Sequence, residues 1–353
     1  MNLDEFINGD DFIRAISPLK EDIVDNRSIP LVAYMISHSV KYYLMFKDSN
    51  YTNDDLFNYI NALATKYSTF RNKEYDYVSF SVEGKPNLRE YDNFLVLKNV
   101  LNMYGLTYKD LNIGDNRKKV FDFLNNYLNN AYMFHAFNSS SEDSIIKYGI
   151  STNVRLNSDD EVIEINELFK KYGEYGIVND YENSSMGSFY YSRDPIVSYR
   201  YGLKSPEWFY DFCGGSKSYT QNKEYQHEAY INRDYDASLN NINIMMNKLS
   251  FSEKDKVVVT KFFNKYWTLF NECEPRLLIL PDEDARQRWD ELEDEDYNRD
   301  PIEFTDDSMN LYVNDFDTDI EYPSDINISD GIIIGMPTHQ EVIRKLNPVQ
   351  KKK

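Results

Sequence analysis

Apolar residues recur every three to four positions through the first third of the chain, a period that predicts helices. Over residues 30–43 the stripe is Leu31, Val32, Met35, Ile36 and Val40. Asn53-Asp54-Asp55 supplies short side-chain acceptors able to cap a helix through Leu56, Ile60 and Leu63. Residues 94–104 and 120–128 repeat the pattern, while 75–82 alternates and reads as a strand or an extended crossing segment. His38 falls inside the first of these helices and reads as a packing or surface histidine rather than a ligand.

Near residue 131 the period changes. Residues 132–137 read as a short strand. Ser141-Glu142-Asp143 then opens a helix through Ile145 and Ile146, which Gly149 ends. A helix over 162–172 and a short strand over 188–192 follow. Asp194-Pro195 starts the next helix, with proline in its first turn. Residues 222–248 and 252–271 read as helical. Residues 276–280 form a continuous apolar strand between Pro275 and Pro281, and short strands at 310–313 and 332–334 close the chain. The class is α+β. A mainly helical N-terminal domain covers 1–128, and a mixed domain covers 129–353 with an acidic insertion near 282–307.

The length of 353 residues favours two domains. With 41% apolar residues, 30 Tyr and 21 Phe, the chain has ample material for a core and is too aromatic for a disordered protein. A net charge of −20 disfavours nucleic acid and favours a basic protein partner. The commonest role of such a surface is solubility alone. Cys213 and Cys273 give no disulfide framework and lack the neighbours of a catalytic thiol. The acidic run lacks the calcium-loop pattern, so no metal site is expected. No apolar run is long enough to span a bilayer, and Met1 to Asp10 does not read as a secretory signal. The expectation is a cytoplasmic protein, or one delivered to another cell without a signal peptide. Abundant Asn, Tyr, Ile, Lys and Asp suit an AT-rich bacterial or phage genome.

Two segments carry the candidate chemistry. Phe134-His135-Ala136-Phe137 is followed by Ile145-Ile146 and Gly149-Ile150. Gly187-Ser188-Phe189-Tyr190-Tyr191-Ser192 is followed by Ser198-Tyr199-Arg200-Tyr201. Taken singly, each residue is ordinary packing; their co-occurrence, order and spacing are the signal. Over about residues 131–335 they resemble the ADP-ribosyltransferase superfamily, in particular its His-Tyr-Glu branch of diphtheria-type toxins and poly(ADP-ribose) polymerases.

The resemblance implies an ADP-ribosyltransferase-like split β-sheet domain that consumes NAD, as a bacterial toxin, effector or phage-linked factor acting on a protein. It assigns His135 to the adenosine-side ribose and the Ala136 backbone to the nicotinamide carboxamide. Tyr190 and Tyr201 would stack on the ring, with Ser198 beside them. Strand alternation lets only one of Tyr190 and Tyr191 line the pocket, and the register of the resemblance favours Tyr190. Ala136 stands where the family has Gly, and Phe137 where it has a hydroxyl residue, which weakens the expected catalysis more than the fold. Glu321, in Asp319-Ile320-Glu321-Tyr322, is the first choice for the catalytic carboxylate; Glu228, in Gln226-His227-Glu228, is the rival. Arg193 is the first choice of partner for the diphosphate, ahead of Arg155 and Arg200. Two other readings stay open: a catalytically degenerate transferase fold that binds NAD, ADP-ribose or a protein, and an acidic decoy of a nucleic-acid-binding protein.

Overall fold

The structure is a computed structural model that describes residues 1–23, 29–70, 88–128, 132–150, 160–174, 189–192, 194–214, 229–281, 320–322 and 326–348. The expected segments at 75–82 and 310–313, and the acidic run near 282–307, lie outside the described residues.

The N-terminal third is helical, as its period predicts. It comprises α1 (Leu3–Asn8), α2 (Asp10–Ala15), α3 (Lys20–Ile23), α4 (Ile29–Phe46), α5 (Asn53–Phe70), α6 (Leu88–Met103) and α7 (Gly114–Leu128). The cap of α5 lies one residue earlier than the sequence suggests. Thr52 and Asp55 exchange bonds at 2.8 and 3.4 Å, while Asn53 accepts from the Asn2 backbone at 2.9 Å. In α4 every residue from Leu31 to Val40 is buried. A helix buried all round belongs in the middle of a structure, not on one flank.

Beyond residue 131, strands alternate with helices. These are β1 (Tyr132–Asn138), α8 (Glu142–Tyr148), α9 (Asp160–Lys170), β2 (Phe189–Tyr191), α10 (Pro195–Lys204), α11 (Glu207–Phe212), α12 (Tyr235–Lys248), α13 (Glu253–Asn271), β3 (Pro275–Pro281), β4 (Ile320–Tyr322), β5 (Ile332–Gly335) and α14 (His339–Leu346). One local expectation is corrected. Of the helix read over 222–248, residues 222–228 lie outside the described residues and 229–234 form turns, with Arg233 at φ 53°; α12 starts at Tyr235, where Asp234 accepts from the Ala237 amide. Helix α8 opens after Ser141 and ends at Gly149 as expected, with the side-chain cap bond made by Asn138 on the short 3-10 turn, Ser139–Ser141, that precedes it.

Among the described residues β1, β3 and β5 form one antiparallel sheet and β2 and β4 a second antiparallel pair. One residue pair joins them. Phe134 in β1 and Ser192 after β2 bond reciprocally through their backbones at 2.8 and 2.9 Å. The contact order is therefore β4, β2, β1, β3, β5. The class is α+β, mostly helical, with a small antiparallel sheet.

The main core is continuous across residue 128. It runs from Leu3 through the N-terminal helices and α10 to α13, and includes Ile334 and Leu346. A smaller core, Met133, Phe137, Ile150, Tyr191, Leu278 and Leu280, covers the other face of the sheet. The first helix also touches the far strand: Asp4 Oδ1 accepts from the Gly335 amide at 2.7 Å, and Asn8 Nδ2 donates to the Gly335 carbonyl at 2.9 Å.

Gly149 ends α8 at φ 74°, ψ −167°, a region open to glycine but not to L side chains. A Cβ there would sit 2.4 Å from the Ile326 carbonyl oxygen. Ile326 is held in place because it exchanges backbone bonds with Ile150 at 2.9 and 3.1 Å. Gly149→Ala is therefore expected to destabilise by about 2 kcal/mol or more, from strain and overpacking together. Urea denaturation measures it.

His339 is fully buried at the start of α14, and burial pushes its pKa down to about 4. The unfolded chain binds this proton near 6.5. The contribution is therefore complete above pH 6.5 and is lost as pH falls toward 4, at up to about 1.4 kcal/mol per unit. Denaturation midpoints between pH 7 and 4 should show this slope, and His339→Leu should flatten it.

Candidate functional site

The two sequence segments meet where β1 and β2 touch. Two faces of β1 follow from strand alternation. Phe134 and Ala136 pack with the main core, whereas Met133 and Phe137 belong to the smaller one. His135 has the parity of the second group. It is half-buried, its ring stacks 6.4 Å from Phe137, and its register partner in β3 is the buried Leu278.

Helix α10 closes on the other face. Asp194 caps it by accepting from the Ile196 amide at 3.0 Å, and Pro195 takes the first helical position, as the sequence predicts. Ser198 is buried, and its hydroxyl donates to the Phe134 carbonyl at 2.9 Å. One turn on, Gly202 lies against β1: a Cβ on it would be 3.2 Å from the Ala136 Cβ and 3.0 Å from Met336 Cε. The small side chains of Ala136 and Gly202 are what let helix and strand approach. Tyr199 is buried and donates to the Pro337 carbonyl at 2.9 Å. Tyr201 is 39% exposed, with the Lys204 ammonium 5.3 Å from its ring centroid. Arg200 is exposed on the same helix.

Tyr190 and Glu321 are direct register partners in the β2–β4 pair, although their side chains lie outside the described residues. The neighbouring Tyr191 packs with Met133 and Phe137, at 3% exposure. Arg193, Arg155 and Glu228 lie outside the described residues. The cysteines are structural: burial pushes the Cys213 thiol well above its ordinary range, and Cys273 donates to the Leu269 carbonyl at 3.3 Å. No group of metal-ligating side chains and no helix long and apolar enough to cross a membrane occurs among the described residues.

Sequence reading missed a buried polar cluster behind this junction. His38 Nδ1 lies 2.9 Å from Asp92 Oδ2, and the Tyr59 hydroxyl bonds to the other Asp92 oxygen. Tyr59 also reaches His38 Nδ1 at 3.4 Å, and the Tyr34 ring packs 4.1 Å from the imidazole. One residue before His38, Ser37 donates to Asp194 Oδ1 at 3.2 Å; one turn after Ser37, Lys41 lies 3.3 Å from the same oxygen. The signal was available in principle. A histidine and two serines within a run of buried apolar residues need polar partners, and such a run was there to read.

Burial alone would raise the Asp194 pKa, but Lys41, the Ile196 amide and His38 outweigh it and hold the carboxyl below its usual range. The group is ionised in the folded state at neutral pH.

Comparison with protein-family models, with curated proteins and with solved structures finds no match.

Removing Asp194 withdraws a helix cap, worth about 1 kcal/mol, and leaves Lys41 facing a buried cavity without its partner. Asp194→Ala should cost about 2–3 kcal/mol at pH 7 by these two effects. A depressed carboxylate pKa contributes above its unfolded value, near 3.9, and loses that contribution as pH falls through the folded value. The gap in denaturation midpoint between the unsubstituted chain and Asp194→Ala should narrow below about pH 4.

Proposed function

We propose that this chain is an NAD-dependent ADP-ribosyltransferase that modifies a protein. The observation carrying the proposal is strand adjacency. Tyr190 and Glu321 are opposed across β2 and β4, and β2 is bonded to the strand of His135 through Phe134 and Ser192. Three elements that the resemblance requires in one site come from distant parts of the sequence and lie on successive strands.

The reaction asks mainly for positioning. The bond from the ribose C1′ to the nicotinamide nitrogen breaks, nicotinamide leaves neutral, and the ribose passes through an oxocarbenium-like state. An acceptor side chain bonds to C1′ and gives up its proton. In this reading Glu321 holds the ribose hydroxyls and stabilises the positive charge. His135 bonds the second ribose and Tyr190 flanks the ring, whereas Tyr201 stands on α10, which packs on the face of β1 opposite His135. Lys204 and Arg200, on the exposed side of α10, supply cations near Tyr201 for the diphosphate, alongside Arg193.

A second reading has a specific observation in its favour. The Ser198 hydroxyl is already bonded to the Phe134 carbonyl, and Gly202 closes on Ala136. These contacts close α10 onto β1 beside the Ala136 backbone that the nicotinamide carboxamide would need. That closure, together with Tyr191 packed on the face of His135 and α10 on the opposite one, favours a degenerate fold that binds a nucleotide or a protein without turnover. An acidic decoy has no observation of comparable weight.

Nicotinamide release and transfer of labelled ADP-ribose into cell lysate separate these readings. Glu321→Gln is expected to lower transfer by roughly 100-fold or more with NAD affinity kept, since shape survives while transition-state charge is lost. Glu228→Gln should have little effect, and a reversal would move the catalytic role to Glu228. Label should be lost to protease and survive nuclease. If the unsubstituted chain binds NAD and releases no nicotinamide, the degenerate reading holds.

A further inference from the structure

The cluster joining α4, α5 and α6 to the start of α10 has no part in the transfer chemistry. We propose that Lys41 and Ser37, with His38 fixing α4 behind them, are positioning residues. Acting through Asp194, they set the first turn of α10, and so the height at which Ser198 and Tyr201 stand over β1.

The case begins with one oxygen. Asp194 Oδ1 takes the Ile196 amide of its own helix, the Ser37 hydroxyl and the Lys41 ammonium, all within 3.3 Å. A helix cap ordinarily serves its own helix. Here two of the three partners come from another one. The Asp194 backbone carries the rest of the turn, because the amides of Val197 and Ser198 bond to its carbonyl at 3.1 and 3.4 Å. Its own amide donates to the Ser192 hydroxyl at 3.0 Å, and the Ser192 backbone is paired with Phe134. A chain of bonds therefore leads from α4 through Asp194 to β1, next to His135.

Anchoring on the far side completes the arrangement. His38 lies between Ser37 and Lys41 on α4 and is held by Asp92 of α6, Tyr59 of α5 and the Tyr34 ring. Tyr59 and Asp92 bond to each other as well. Two other helices thus fix the part of α4 that grips Asp194. The grip matters because, beyond the Ser198 hydroxyl bond to the Phe134 carbonyl, α10 meets β1 through the smooth contact of Gly202 and Ala136, which resists sliding poorly. The Lys41–Asp194 pair is also sheltered, with side chains 32% and 12% exposed, so it is screened far less than a surface pair.

That α10 borders an NAD site rests on the transferase proposal; that α4 sets α10 does not. The test uses the full chain with Lys41→Met, which keeps length and removes charge, and Lys41→Arg, which keeps charge. Amide hydrogen exchange is read without NAD at Ile196, Val197 and Ser198, with α13 as internal reference. Lys41→Met should speed exchange at these three amides by about tenfold and leave α13 unchanged, a local opening rather than a global one. Lys41→Arg should restore protection. Ser37→Ala should give a smaller increase, roughly threefold, and covers the case in which Lys41→Met does not fold. In an NAD cleavage assay Lys41→Met should raise KM about tenfold with kcat within about twofold, as expected when binding geometry and not chemistry is disturbed. Unchanged exchange at the three amides, an equal rise in α13, or failure of Lys41→Arg to rescue overturns the proposal. The exchange measurement decides it whether or not NAD is cleaved; absence of cleavage by the unsubstituted chain counts against the transferase reading alone.

Discussion

Two hydrogen bonds between Phe134 and Ser192 hold the architecture of the sheet together. Without them β2 and β4 would be a detached ribbon, and a two-stranded ribbon is marginal in water. With them, β2 gains the support of β1 and β3, which pair along seven residues and carry the apolar run of β3 between two cores. The junction survives because both residues are pinned from elsewhere. Phe134 is buried in the main core and its carbonyl also accepts from Ser198, while the Ser192 side chain bonds the start of the α10 cap. A single bridged pair can thus replace a ladder where side chains on each side over-determine it.

What could be read from sequence were features whose cause is local. A continuous apolar run and bounding prolines made β3 visible, and Asp194-Pro195 marked the start of α10 because cap and proline act within one turn. Gly149 was legible as a stop because its positive φ is a property of glycine itself. The strand of Tyr190 was readable, but its pairing with the strand of Glu321 was not, since register depends on partners far away. The faces were harder still. Alternation says that Tyr190 and Tyr191 differ, and only the small core around Met133 and Phe137 says that Tyr191 packs there.

The polar cluster was illegible for a different reason. His38, Tyr59 and Asp92 occupy three helices, and each is unremarkable in its own window. What makes them a unit is shared burial, with exposures of 8%, 4% and 8%, so that each polar atom depends on the others for its partners. The boundary suggested near residue 128 has a similar lesson. Composition and period do change there, yet one core runs through both halves, because an α4 buried on every side from Leu31 to Val40 cannot be covered by the N-terminal helices alone.

The bonds from α1 to Gly335 have a consequence for the chain's dealings with its own copies. Among the described strands β5 is an outer one, and an outer strand offers unpaired amides and carbonyls that a second chain can extend into a larger sheet. Asp4 and Asn8 take the Gly335 amide and carbonyl with side chains, which cannot propagate a ladder. Lys345 donates to the Asn8 carbonyl at 2.8 Å and ties that helix down. The first helix therefore blocks strand-by-strand self-association at Gly335, and loosening it would bare that end of an isoleucine-rich strand together with the core residues Leu3, Phe6 and Ile7.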